Sequence, residues 1–148
     1  MQEICNLQID NLQFANCKSS EFLSYILYIN LRQTKLYMFT EDNSYSHHIT
    51  NYKDEYGSCY TLEWYTDRTE DLILTNVWVK PEYRGKGFGN EILRLAEEAA
   101  KLGCFKQLFV KVGYDTWQND WYRRHGFEFF ETDKYDNSYI WRVKQIKD

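Results

Sequence analysis

The stretch VKPEYRGKGFGNEIL, residues 79–93, constrains the fold more than any other part of the chain. It holds the one proline, Pro81, and three of the seven glycines, Gly85, Gly87 and Gly89. An apolar run, LILTNVWV at 72–79, precedes the glycines. Its composition fits a strand buried on both faces. An amphipathic run, NEILRLAEEAAKL at 90–102, follows. Phe88, Ile92, Leu95, Ala96, Ala99 and Leu102 fall on one stripe at helical spacing, and Gly103 fits as C-cap. The segment therefore reads as strand, glycine turn, helix. The first amides of such a helix lack internal partners and carry the positive end of its dipole. Glycines permit positive φ and let an anion approach the backbone. With Arg84 and Lys86 alongside, the turn is fit to bind phosphate. One exposed charge at a helix end contributes only about 0.3–1 kcal/mol, so anchoring a ligand takes several amides and a cation together.

Two nucleotide loops fail on spacing. A Walker A loop needs Ser or Thr after its lysine, and Lys86 is followed by Gly87. A dinucleotide fingerprint fits at Gly85 and Gly87, but its third glycine falls at Asn90. A tight turn with no ligand is the plain alternative.

The flanking pattern sets the fold class. After the helix come a strand in FKQLFVKV, a helix in TWQNDWYRRH stopped by Gly126, and strands in FEFFET and YIWRVKQI around the turn DKYDNS. Asp115, three residues before Gln118, predicts a capping box. A strand–helix–strand crossover followed by antiparallel strands predicts an α/β (α+β) domain. Its sheet is mixed, mostly antiparallel, and flanked by helices. Upstream, a strand is predicted over 3–14. A helix over 21–31 follows, capped by Ser19 or Ser20, with Phe22, Leu23, Ile26, Leu27 and Leu31 on one face. Strands are expected in KLYMFT and CYTLEWYT. The polar segment 41–58 is either a long connection or a hairpin with a weak strand inside it.

The 148 residues, 43% hydrophobic and 27% charged, suit one domain, 1–148, with one core. Aromatics reach 18%, with 13 tyrosines, which suits a half-wet core or a binding cleft. A net charge of −4 argues against nucleic acid as main partner and for a cationic or neutral one. Cys5, Cys17, Cys59 and Cys104 show no CxxC spacing, and His47, His48 and His125 complete no zinc pattern. No metal is expected. The start MQEICNLQID lacks a signal-peptide pattern, and the apolar FLSYILYI is too short to span a bilayer. A cytoplasmic protein with no membrane partner is expected, and a homodimer is compatible with the sequence.

Arg84-Gly85-Lys86-Gly87-Phe88-Gly89, its lead-in from Val79, and Tyr122 followed by Gly126-Phe127 resemble the GNAT superfamily of N-acetyltransferases. That family's acetyl-CoA loop reads Gln/Arg-x-x-Gly-x-Gly/Ala, and its second signature is Tyr-x-x-x-Gly-Phe. The resemblance covers residues 72–146 and divides the domain into an acceptor-side half, 1–71, and an acetyl-CoA-binding half, 72–146. It implies the GNAT-like acyl-CoA N-acyltransferase fold, with acetyl-CoA as co-substrate. The pyrophosphate would sit on Arg84, Gly85, Lys86, Gly87, Phe88 and Gly89, and the pantetheine arm beside Val77 and Val79. It also implies a bulge in strand 72–79 that frees an amide for the thioester carbonyl; nothing in the sequence marks one.

The implied reaction is direct attack of an amine on the thioester in a ternary complex, with Tyr122 as general acid. A tyrosine near pKa 10 and a thiol near 8.5 make full proton transfer uphill by about 2 kcal/mol, so Tyr122 acts mostly as a hydrogen-bond donor. Thr75 and Asn76 stand where many relatives carry a basic carboxylate. Glu63 is the first candidate for that base and Asp71 the second; a water chain is a third route. Asp115 is read as a helix cap, not a cofactor ligand. The acceptor is expected to be a small cationic amine, such as a polyamine or an aminoglycoside, or a protein lysine or N-terminus. Trp64, Tyr65, segment 41–58 and the DKYDNS loop are its expected walls. A non-catalytic acyl-CoA-binding module and a toxin-like acetyltransferase of aminoacyl-tRNA are the competing readings; the second would need a basic groove.

Overall fold

The computed structural model describes residues 36–40 and 47–147. The strand expected at 3–14 and the helix at 21–31, with its serine cap, lie outside the described residues. Strands β1 (Leu36–Thr40), β2 (His47–Asp54), β3 (Cys59–Tyr65) and β4 (Asp71–Trp78) form an antiparallel meander. A 3-10 turn, Pro81–Tyr83, leads to helix α1 (Phe88–Leu102). Then follow β5 (Gln107–Gly113), helix α2 (Trp117–Arg124), β6 (Glu128–Thr132) and β7 (Tyr139–Gln145). Among the described residues the sheet has seven strands in the order β1-β2-β3-β4-β5-β7-β6, and β4–β5 is its parallel pair. The mixed, mostly antiparallel sheet expected from the sequence is observed. The polar segment 41–58 resolves in favour of its hairpin reading, because β2 lies inside it.

The core lies between the sheet and α1. Leu72, Leu74, Leu108 and Val110 from the sheet meet Ile92, Leu95, Ala96 and Ala99 from the helix. Ala96, Ala99 and Ala100 are fully buried, and their small side chains let the helix lie close to the sheet. Each large aliphatic chain buried here contributes about 1.5–3 kcal/mol. The helix stripe differs at its margins from the predicted one. Leu93 and Ala100 are buried, while Phe88 and Leu102 are half-exposed. Gly103 is the C-cap as expected, but the left-handed residue is Cys104, at φ +60°. β4 corrects the expectation of burial on both faces. Leu72 and Leu74 are buried, yet Asn76 and Trp78 are exposed.

The start of α2 also departs from expectation. Its N-cap is Thr116, not Asp115. Thr116 holds extended backbone, and its Oγ1 donates to the Gly113 carbonyl at 2.8 Å instead of accepting from a helix amide. The capping box therefore does not form. The helix is fastened from β7 instead: Arg142 donates to Asn119 Oδ1 at 2.6 Å and to the Phe127 carbonyl at 3.0 Å.

Candidate active site

The glycines of the loop do two different jobs. Gly85 and Gly87 have φ of +74° and +90°, where an L side chain would be strained. A Cβ on either would meet open space, so conformation and not crowding demands glycine. Gly89 lies inside α1. A Cβ there would come within 3.2 Å of the Trp121 ring, so this glycine lets α2 close on the first turn of α1. Arg84 folds back, its Nε donating to the Val79 carbonyl at 2.9 Å and its guanidinium lying 6.0 Å from the Trp78 ring centroid. The Val79 carbonyl thus already has a partner. The Lys86 ammonium lies 5.7 Å from the Tyr83 ring.

β4 carries a bulge. Glu63↔Ile73, Leu62↔Leu74 and Thr61↔Thr75 keep one register, but Cys59 then faces Trp78 where that register would bring Val77. One extra residue has entered β4. Asn76 absorbs it with φ +53°, and asparagine is among the few non-glycine residues that accept this region. On its other side β4 pairs with β5 only from Asp71↔Gln107 to Leu74↔Val110. β4 runs on to Trp78 and β5 to Gly113, so the two strands part at the bulge.

The parting leads into a cavity of about 480 Å³. Val77, Val79, Arg84, Gly85, Gly87, Phe88 and Gly89 line it on one side, and Tyr122, Trp121 and Trp117 on the other. The loop and the distant tyrosine are thereby brought together; Lys86 does not line this cavity.

Tyr122 is placed by the way α2 ends. The Phe127 amide donates to the Tyr122 carbonyl at 3.1 Å, and the Gly126 amide to the Arg123 carbonyl at 3.1 Å. Gly126 is left-handed at φ +89°. This is the Schellman stop, whose usual apolar contact joins the two ends of the motif. Here that contact is Tyr122 against Phe127, edge to face at 5.5 Å. The spacing Tyr-x-x-x-Gly-Phe is thus a helix terminus that fixes a tyrosine ring. Burial pushes the Tyr122 hydroxyl up to about 12, so it stays protonated.

The two candidate bases separate. Glu63 lies on β3, half-buried. Its Oε2 accepts from Thr75 Oγ1 at 2.9 Å and its Oε1 meets His47 Nε2 at 3.0 Å. Glu63 therefore reaches across to the position just before the bulge. His47 stacks on Tyr65, with ring centroids 4.2 Å apart. Asp71 lies at the opposite end of β4, facing Arg68 at 3.8 Å. Sequence reasoning missed His47 and Asn76. Both act through strand register, and no spacing along the chain encodes that.

A sequence profile described as the acetyltransferase (GNAT) domain matches residues 43–129. The chain belongs to the GNAT acetyltransferase family. The match spans the bulged strand, the glycine loop and the Tyr122 helix stop. Among curated GNAT relatives, a Bacillus subtilis (strain 168) protein assigned as a ribosomal protein bS18-alanine N-acetyltransferase is 32% identical over 71 residues. That alignment covers 48% of this chain and 46% of the relative, so the chain spans about half the length of the curated relative it matches. Solved structures share the fold. A Klebsiella pneumoniae protein assigned as an acyl-CoA N-acyltransferase superposes with TM-score 0.57 at 17% identity, covering 87% of this chain and 92% of that one. A GNAT family acetyltransferase from Elizabethkingia anophelis, solved with acetyl-CoA bound, superposes with TM-score 0.56 at 18% identity, covering 76% of this chain and 97% of that one. No helix among the described residues is long and apolar enough to cross a membrane.

Proposed function

We propose that the chain transfers the acetyl group of acetyl-CoA to a primary amine by direct attack in a ternary complex. One observation carries this reading: the left-handed glycines, the bulged end of β4 and Tyr122 all face a single cavity. Acetyl-CoA supplies the activated thioester. The amides and cations of residues 84–89 receive its pyrophosphate, and Val77 and Val79 flank the pantetheine arm. Glu63 takes the proton of the incoming ammonium. The amine nitrogen bonds to the acetyl carbon as the carbon–sulfur bond breaks, the nitrogen sheds its second proton to water to become the amide, and the sulfur leaves toward the Tyr122 hydroxyl. With Tyr122 near 12 and a thiol near 8.5, full proton transfer would be uphill by about 5 kcal/mol. Tyr122 therefore stabilises the developing thiolate by a hydrogen bond, and water completes the protonation. The acceptor is an amine that is cationic before attack, in keeping with the net charge of −4. The Bacillus subtilis relative, named for an alanine of a ribosomal protein, keeps protein amines within this class.

The test is release of CoA from acetyl-CoA with a panel of primary amines, followed by thiol titration. Amine-dependent release is expected. Tyr122→Phe should lower kcat by about 10²-fold or more with little change in acetyl-CoA binding. Acetyl-CoA binding without turnover on any amine would replace the enzyme with an acyl-CoA-binding module.

A further inference from the structure

A second hollow, of about 220 Å³, lies over the β4–β5 pair. Asp71, Ile73 and Thr75 alternate along β4 with Leu72 and Leu74, which pack into the core with α1. They therefore project from the opposite sheet face. Phe109 does the same between buried Leu108 and Val110 on β5. Tyr65, Asp71, Ile73, Phe109, Phe130 and Trp141 line the hollow, and Phe130 meets Phe109 edge-on at 5.2 Å.

The charge in this hollow is unevenly satisfied. Its lining carries three carboxylates, Asp71, Glu131 and Asp133, against Arg68 and Lys134. Asp133 is fully engaged. It accepts from Trp141 Nε1 at 2.9 Å and from the amides of Tyr135 and Asp136, and it faces Lys111 at 3.4 Å. Asp71 is not. Its ionic contact among the described residues is the 3.8 Å approach of Arg68, whose own side chain is 68% exposed. Burial lifts its carboxyl above the ordinary range. A partly desolvated carboxylate among aromatic rings suits an ammonium ion, which gains from the charge and from the ring faces together.

The hollow is in line with the proposed reaction site. On the same face, two residues past Ile73, Thr75 holds Glu63, and the bulge residue Asn76 follows at once. At roughly 3.3 Å per residue, Asn76 is about 10 Å from Ile73 and about 16 Å from Asp71. Ile73 and Phe109 give an apolar start to that path, suited to methylene groups.

We propose that the acceptor is a flexible amine with a second cationic group, a diamine or polyamine, whose far ammonium sits against Asp71 while its near amine meets Glu63 at the bulge. This rests on the acetyltransferase reading and narrows its substrate class.

The experiment measures kcat/KM for α,ω-diaminoalkanes of increasing length against monoamines of equal length. The full chain is used as wild type, Asp71→Asn and Phe130→Leu. Phe130→Leu removes a ring at a half-exposed site and keeps an apolar side chain against Phe109. Long diamines are expected to exceed their monoamines by about tenfold or more, and each variant to cut that preference severalfold. Equal rates for diamines and monoamines, or a preference unaltered in both variants, would overturn the proposal while leaving acetyl transfer standing. Absence of CoA release with every amine would instead sink the acetyltransferase reading. Calorimetry with a bis(trimethylammonium)alkane, which cannot be acetylated, then decides the hollow alone. Binding weakened by Asp71→Asn supports a cation site, and no binding to the wild type overturns it.

Discussion

Tyr122 is held in place by the end of its own helix. A tyrosine followed after three residues by Gly-Phe encodes a helix stop whose closing contact is the tyrosine ring itself. Gly85 and Gly87 were legible for the same kind of reason, since a left-handed backbone leaves its mark on a single residue. Glu63 stands out in the sequence as a glutamate in the middle of a strand. Its partners Thr75 and His47 come from two other strands, and no pattern along the chain marks them. If Glu63 accepts the ammonium proton, Glu63→Gln should lower kcat by about 10²- to 10³-fold. A variant that keeps the wild-type kcat would take Glu63 out of the mechanism.

At the scale of elements, strands and helices were mostly readable, while the irregularities that shape the site were not. LILTNVWV has the composition of an evenly buried strand, but it is buried only up to Leu74 and then bulges. A bulge is a mismatch between two strands, and one strand's sequence holds half of it. The capping box at Asp115 failed because Thr116 turned its hydroxyl to Gly113. Asn76 makes the bulge testable. Asn76→Gly accepts φ +53° readily and should unfold within about 0.5 kcal/mol of the wild type. Asn76→Val forces a β-branched residue into the left-handed region and should cost about 1–3 kcal/mol. Urea midpoints for the two variants make the comparison. Equal stability of Asn76→Val and Asn76→Gly would mean that the residue is not left-handed.

Over the whole molecule, alternating strands and helices were enough to reach a mixed sheet with one crossover. The β1–β3 side of the sheet was less legible, because β2 is polar and its pairing with β1 and β3 leaves no periodic trace. Buried tyrosines give the protein an alkaline limit. The folded Tyr122 titrates near 12, above its ordinary value near 10. A raised folded value contributes stability that is complete below about pH 10 and is lost as pH rises toward about 12, amounting to about 3 kcal/mol. Tyr60, pushed well up by burial, acts in the same direction. Urea unfolding from about pH 8 to about pH 12 should therefore show a steep fall, shallower in Tyr122→Phe. Identical slopes would show that Tyr122 titrates normally in the folded chain.

The sheet is also two antiparallel blocks, β1 to β4 and β5-β7-β6, joined by a parallel pair that runs only from Asp71↔Gln107 to Leu74↔Val110. The β2–β3 and β5–β7 pairs run nearly twice as far. Pulled apart at its two ends, such a molecule would tear first along that short join, as a sheet of paper tears at a perforation. The cavity opens where the join stops, and its lining runs from the end of β4 to α2, the helix that follows β5, so a molecule lodged there bridges the tear line.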